Sequence, residues 1–153
     1  MGEPSAYELR RATEADATAI ADLVNAAYGH YVARIGGHPG PMLADYDAVV
    51  REQDVTVATA SGALAAVLVL DTTAEGFLVD NVAVHPDHQG RGLGRRLLAL
   101  AEDRARLAGF ASLYLYTHVK MTENLALYGR LGYVEYDRRT DDGFTRVFLR
   151  KQL

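Results

Sequence analysis

Apolar positions along this chain change period several times, and each change marks an element. Residues 7–12 alternate weakly, as a first strand would. Thr13-Glu14-Ala15-Asp16 then supplies an N-cap with an acidic residue three positions on. Ile20, Leu23, Val24, Ala27 and Tyr28 follow at helical spacing on one stripe that ends near Gly29. Residues 30–41 break the pattern: Gly36, Gly37, Pro39, Gly40 and Pro41 predict a loop without regular structure. A short second helix is expected over 45–52, then strands over 55–60 and 64–70 about Ser61-Gly62, a pair with hairpin turn chemistry. Residues 77–84 read as a third consecutive strand, stopped by Pro86.

The strongest signal is helical. Leu93, Leu97, Leu98, Leu100, Ala101, Ala105, Leu107 and Ala108 form one amphipathic stripe closed by Gly109. Beyond it lie a strand over 113–117, a helix over 123–131 stopped by Gly132, and strands over 133–139 and 144–150 about Asp141-Asp142-Gly143. This order predicts an α+β fold in which helices flank a sheet. No repeat or linker divides residues 1–153, so a single domain is expected.

Composition narrows the function. At 153 residues and 49% apolar, the chain can build one sizeable core. A net charge of −4 with arginine scattered along the sequence leaves no nucleic-acid footprint. The absence of cysteine excludes disulfides, thiolate zinc sites and a cysteine nucleophile. Residues 1–7 lack the order of a leader, and no apolar run reaches the length of a membrane span, which predicts a cytoplasmic chain. His30, His38, His85 and His88 lack the paired spacing of metal ligands, so no metal is expected.

Gln89-Gly90-Arg91-Gly92-Leu93-Gly94-Arg95 lies between a strand end and the first turn of the long helix. Amides there have no intrahelical partner, the helix dipole is positive, and glycine admits close backbone approach, so the segment suits a phosphate or pyrophosphate. A P-loop would need Lys then Ser or Thr after Gly94, where Arg95-Arg96 stands. The dinucleotide fingerprint would need its third glycine at position 95.

With Val82-Ala83-Val84-His85-Pro86 before it, Gln89-x-x-Gly92-x-Gly94 resembles the coenzyme A signature of the GNAT superfamily of N-acetyltransferases. Asn124-Leu125-Ala126-Leu127-Tyr128 through Leu131-Gly132-Tyr133 is similar to that family's second block, and the likeness spans nearly the whole chain. It implies a mixed, mostly antiparallel sheet of about seven strands with about four helices. It also implies acetyl-coenzyme A as co-substrate, held by Val82, Ala83, Val84 and the segment Gln89, Gly90, Arg91, Gly92, Leu93, Gly94 and Arg95. Where relatives often carry a pantetheine-contacting Asn, this chain has Met121; Asn124 stands one turn later, either as its substitute or as a helix starter.

The resemblance implies Tyr128 as general acid, backbone amides of 82–84 as oxyanion donors, and Asp80 as the best-placed carboxylate for a base. Strict alternation puts Leu78, Asp80, Val82 and Val84 on one face and Val79, Asn81 and Ala83 on the other. His118 is a second candidate base. By analogy, Tyr31, Arg34 and Tyr46 form the acceptor wall, with Arg34 suited to a carboxylate. The expected acceptor is a small-molecule or peptide amine, with the chain acting alone or as a homodimer. Two other readings stay open: a catalytically silent acyl-CoA-binding regulatory module, and an acetyltransferase for protein N-termini or lysines.

Overall fold

The computed structural model describes residues 6–153, so most of the 1–7 stretch read for a leader lies outside the described residues. Seven strands form one sheet in the order β1-β2-β3-β4-β5-β7-β6. They are β1 (Glu8–Arg11), β2 (Asp54–Ala60), β3 (Ala63–Thr73), β4 (Gly76–Val84), β5 (Ser112–His118), β6 (Val134–Asp141) and β7 (Phe144–Gln152). Every pairing is antiparallel except β4 with β5. A parallel neighbour needs a crossover, and the long helix α5 (Leu93–Leu107) supplies it. The β2–β3 and β6–β7 hairpins turn on Ser61-Gly62 and Asp142-Gly143, all at positive φ, which matches the twist of the strands they join.

The remaining helices are α1 (Ala17–Tyr28), α2 (Tyr31–Ile35), α3 (Gly40–Leu43), α4 (Tyr46–Glu52) and α6 (Thr122–Arg130). One sheet face packs under α5, where Leu93, Leu97, Leu98, Ala101 and Ala105 meet Leu68, Leu70, Val79, Leu113 and Leu115. The other packs against α1 and its neighbours through Ile20, Leu23, Val24, Tyr31, Ile35 and Tyr46 over Val55, Val57, Val67 and Val69. Among the described residues, no helix is long and apolar enough to cross a membrane, and no group of three or more His, Asp or Glu side chains gathers as metal ligands.

Two expectations need correction. Residues 30–41 are not irregular: they hold α2 and the start of α3, so six helices flank the sheet. The breakers act as caps. Gly36, at φ 77°, ends α2 in the left-handed conformation, and Pro41 occupies the first turn of α3, where a missing N–H costs nothing. Tyr31 and Ile35, four residues apart, supply the buried face.

The alternation expected for β4 also fails. Leu70 pairs with Val79 but Val69 pairs with Asn81, so Asp80 is an extra residue in a β-bulge. Past the bulge the faces exchange. Phe77, Val79, Val82 and Val84 all join the α5 side, while Asn81 and Ala83 turn toward α1.

Leu97 is 0% exposed and Leu107 is 87% exposed on the same helix. Leu97→Ala should therefore cost about 3 kcal/mol of unfolding free energy, and Leu107→Ala less than about 0.5 kcal/mol. Urea denaturation of the two variants checks this, and equal losses would contradict the packing described.

Candidate active site

Strands β4 and β5 touch in register at only two rungs, Phe77 with Leu113 and Leu78 with Tyr114. Beyond Leu78 they splay, and the edge of β4 facing β5 loses its ladder. Which backbone groups are left follows from the other edge. The His85 amide donates to the Ala65 carbonyl at 2.8 Å, so by antiparallel alternation residues 81, 83 and 85 exchange hydrogen bonds with β3 and Val82 and Val84 turn outward. The Val82 carbonyl accepts from the Tyr28 hydroxyl at 3.0 Å and the Val84 carbonyl from Gln89 Nε2 at 3.2 Å. Their amides face the gap. Ala83, grouped with them from the sequence, spends its backbone on β3.

Beneath the gap's far end stands the N-terminus of α5. Its N-cap is Gly92 at φ 77°, which has no side chain to cap with, so the amides of Leu93, Gly94 and Arg95 stay without intrahelical acceptors. Gly90 and Gly92 are required for their left-handed φ of 78° and 77°. Nothing lies within 4 Å of where a Cβ would stand at either. Gly94 is different: its backbone is helical, and a Cβ there would make only an ordinary 3.6 Å contact with Val84. Nothing in the protein itself demands glycine at 94. Free amides, a positive helix end and an empty cradle fit a pyrophosphate, with Arg91 and Arg95 exposed beside it.

The gap opens into a cleft of about 860 Å³ lined by β4, β5 and β7 and by α3, α4 and α6. Tyr128 reaches it from α6. This ring is buried against Tyr133, edge to face at 5.8 Å, and burial pushes its phenol up to about 12. Among the described residues nothing hydrogen-bonds its hydroxyl, so Tyr128 presents a proton to the cleft, while the hydroxyl of Tyr133 behind it is buried without a partner. Asp80 also lines the cleft, its Oδ2 accepting from Gln53 Nε2 at 2.9 Å. The bulge points it there.

Asn81 beside it is a strut. Its Oδ1 accepts from Tyr28 Oη at 2.9 Å and its Nδ2 donates to Tyr46 Oη at 3.2 Å, while Tyr46 donates to the Pro41 carbonyl at 2.6 Å. Buried and fully engaged, this network ties the bulge to α1 and α4. Tyr46 thus reaches the cleft with its ring while its hydroxyl, pushed up to about 12 by burial, is committed elsewhere.

The other residues expected at the acceptor wall lie outside the cleft lining. The Tyr31 hydroxyl donates to Glu123 Oε2 at 2.7 Å, and Arg34 meets both Glu123 oxygens at 2.7 and 2.9 Å. Together they lock α2 to the start of α6, and these contacts hold the Glu123 carboxyl down to about 2. Arg34 is therefore spent on Glu123. Asn124 does line the cleft and donates to Thr117 Oγ1 at 3.5 Å. Met121 fills the core below it, 4% exposed. His118 lines the cleft too, but its Nδ1 accepts from the Lys120 amide at 3.0 Å. That contact assigns the proton of the neutral ring to Nε2, so the nitrogen a base would need is occupied.

The acetyltransferase (GNAT) family model matches residues 7–133. The chain belongs to the GNAT family of acetyltransferases. The L-amino acid N-acyltransferase MnaT of Escherichia coli is 32% identical over 142 residues, covering 82% of this chain and 78% of that protein. A ribosomal-protein alanine N-acetyltransferase of the same organism is 35% identical over 77 residues, 50% of this chain and 52% of that protein. The chain thus aligns with about half the length of that relative. In structure, the PaiA N-acetyltransferase of Thermoplasma acidophilum, solved with coenzyme A, superposes with a TM-score of 0.76 at 17% identity, over 96% of this chain and 99% of that one.

Sequence reasoning missed several residues that this GNAT chain presents to its cleft: Tyr116, Phe148 and Arg146. A signal was present, because Phe144, Arg146, Phe148 and Arg150 share one parity of β7 while Val147 and Leu149 occupy the other. The co-substrate of the family is acetyl-coenzyme A, and Gly94 tests where its pyrophosphate rests. Gly94→Ala should leave the melting temperature unchanged or raise stability by about 0.5 kcal/mol, yet weaken acetyl-coenzyme A binding at least about tenfold. Calorimetry with undiminished affinity would remove α5's first turn from the binding site.

Proposed function

We propose that this chain is an N-acetyltransferase that moves an acetyl group from acetyl-coenzyme A to the primary amine of a small molecule or peptide, by direct transfer in a ternary complex. The observation that carries this reading is the splay past Leu78, which leaves the Val82 and Val84 amides outward, with Val82 at a cleft that the unpartnered Tyr128 hydroxyl also lines.

Each chemical need has a matching group. Val82, Val84 and the amides of Leu93, Gly94 and Arg95 are the backbone donors that would hold the co-substrate, with Asn124 bordering the same cleft. Acetyl-coenzyme A supplies an acyl group already activated as a thioester. The Val82 amide, fixed in the sheet, donates to negative charge developing on an acyl oxygen without reorganising. Asp80, oriented by Gln53, accepts a proton from an incoming ammonium. Tyr128 keeps its proton until a departing anion takes it, since burial holds the phenol protonated across the physiological range. No cysteine exists to carry the acyl group on the protein, which favours direct transfer.

A catalytically silent binding module would have no use for the unpartnered hydroxyl that Tyr128 presents to the cleft. Tyr128→Phe should lower kcat about 100-fold or more while changing the affinity for acetyl-coenzyme A by less than about threefold. Thiol release measured with an amine panel checks it; tight co-substrate binding with no turnover by the parent would instead favour the silent module. Because the Tyr128 phenol titrates at about 12, loss of its proton should not limit the rate below about pH 10. An alkaline limb that lies below pH 9 in the parent and vanishes in Tyr128→Phe would keep Tyr128 as the acid and contradict its raised phenol.

A further inference from the structure

One rung of the sheet gathers positive charge across three strands. His118 on β5, Arg146 on β7 and Arg139 on β6 are direct register partners, and all three line the cleft. Cations opposed across strands repel, so each needs an account. Arg139 is neutralised by Glu75 at 2.5 Å and Asp137 at 2.8 Å. His118 is held below its ordinary value by burial and by neighbouring Lys120 and Arg146, which favours the neutral ring. Arg146 is half-buried, and among the described residues its guanidinium has no ion pair or hydrogen bond. Asp141 and Asp142, at the β6–β7 turn, line the same wall without bridging to it.

The cleft lining also carries an apolar floor. Tyr116 stacks on Phe148 with centroids 5.0 Å apart and planes at 29°. Burial and then the Asp80 carboxylate raise the Tyr116 phenol, while Arg146 lowers it, so charges of both signs lie near the ring. The cleft thus offers an acid, a free guanidinium and aromatic surface on its lining. That is the complement of a zwitterion with an apolar body.

We infer that Arg146 anchors a carboxylate on the acceptor, and that the acceptor is a small molecule of the amino-acid class whose ammonium faces Asp80 and whose side chain lies on Tyr116 and Phe148. This rests on the acetyl-transfer reading above. A guanidinium binds a carboxylate through two parallel charged hydrogen bonds, and glutamine in its place cannot.

The test uses the full chain, acetyl-coenzyme A and a panel of L-amino acids, each with its carboxamide and its decarboxylated amine, read by thiol release. The best acceptor should carry the carboxylate and exceed its amide and amine at least about tenfold in kcat/KM. Arg146→Gln should bring that ratio to within about twofold of one, chiefly through KM, and Arg146→Lys should retain part of it. An amide or amine that matches its acid, or a ratio that survives Arg146→Gln, overturns the inference and leaves acetyl transfer standing. Silence toward every amine overturns both. NMR titration of the His118 ring supplies a readout free of turnover. A carboxylate seated on Arg146 should raise the His118 pKa in the parent and leave it unmoved in Arg146→Gln, and an unmoved His118 in both overturns the inference.

Discussion

Past Leu78, β4 keeps its ladder with β3 and loses it with β5, and the rest of the site depends on that one-sided bonding. A strand buried mid-sheet normally has no spare backbone groups. Here alternation assigns the amides of Asn81 and Ala83 to β3 and turns those of Val82 and Val84 into the gap. The carbonyls of the same two valines are met by Tyr28 and Gln89, so acceptors are satisfied and donors are left over. A strand edge with donors in excess suits an anionic or carbonyl partner.

The bulge at Asp80 couples this edge to chemistry. The extra residue exchanges the two faces of β4 and brings Asp80 and Asn81 to the side where α1 and α4 pack. Asn81 is then consumed by Tyr28 and Tyr46, and its engagement fixes the backbone that carries Asp80. Polar networks of this kind are costly when incomplete; here the single Tyr28 proton is shared between Asn81 Oδ1 and the Val82 carbonyl. Around the cleft, Tyr28, Tyr31 and Tyr46 act as struts with tied hydroxyls, whereas the Tyr128 hydroxyl is not tied and that of Tyr133 is buried without a partner.

Local features were legible in the sequence. The leucine stripe of α5, the Ser61-Gly62 hairpin and the glycines ahead of Leu93 each encode their structure within a few residues, and the fold follows from their order. What stayed hidden depends on distant partners. A bulge adds one residue to an alternating run without altering its composition, so Asp80 and Asn81 read as ordinary strand positions. Arg34 reads as a free cation because Glu123, which neutralises it, lies 89 positions away. Tyr31 is taken by the same carboxylate. Arg146 has no such distant acid, a fact that emerges only when β5 and β6 flank it.

The two-rung joint between β4 and β5 also divides the sheet mechanically. On one side β1 to β4, and on the other β5, β7 and β6, are antiparallel panels, each braced by its own ladder. Two backbone rungs, the underside of α5, and side-chain contacts at Thr73, Glu75 and Glu123 bridge them. An extended ligand that bonds along the free edge of β4 would add the missing rungs. Occupancy would therefore work as a staple, carrying the backbone ladder on across the open end of the joint.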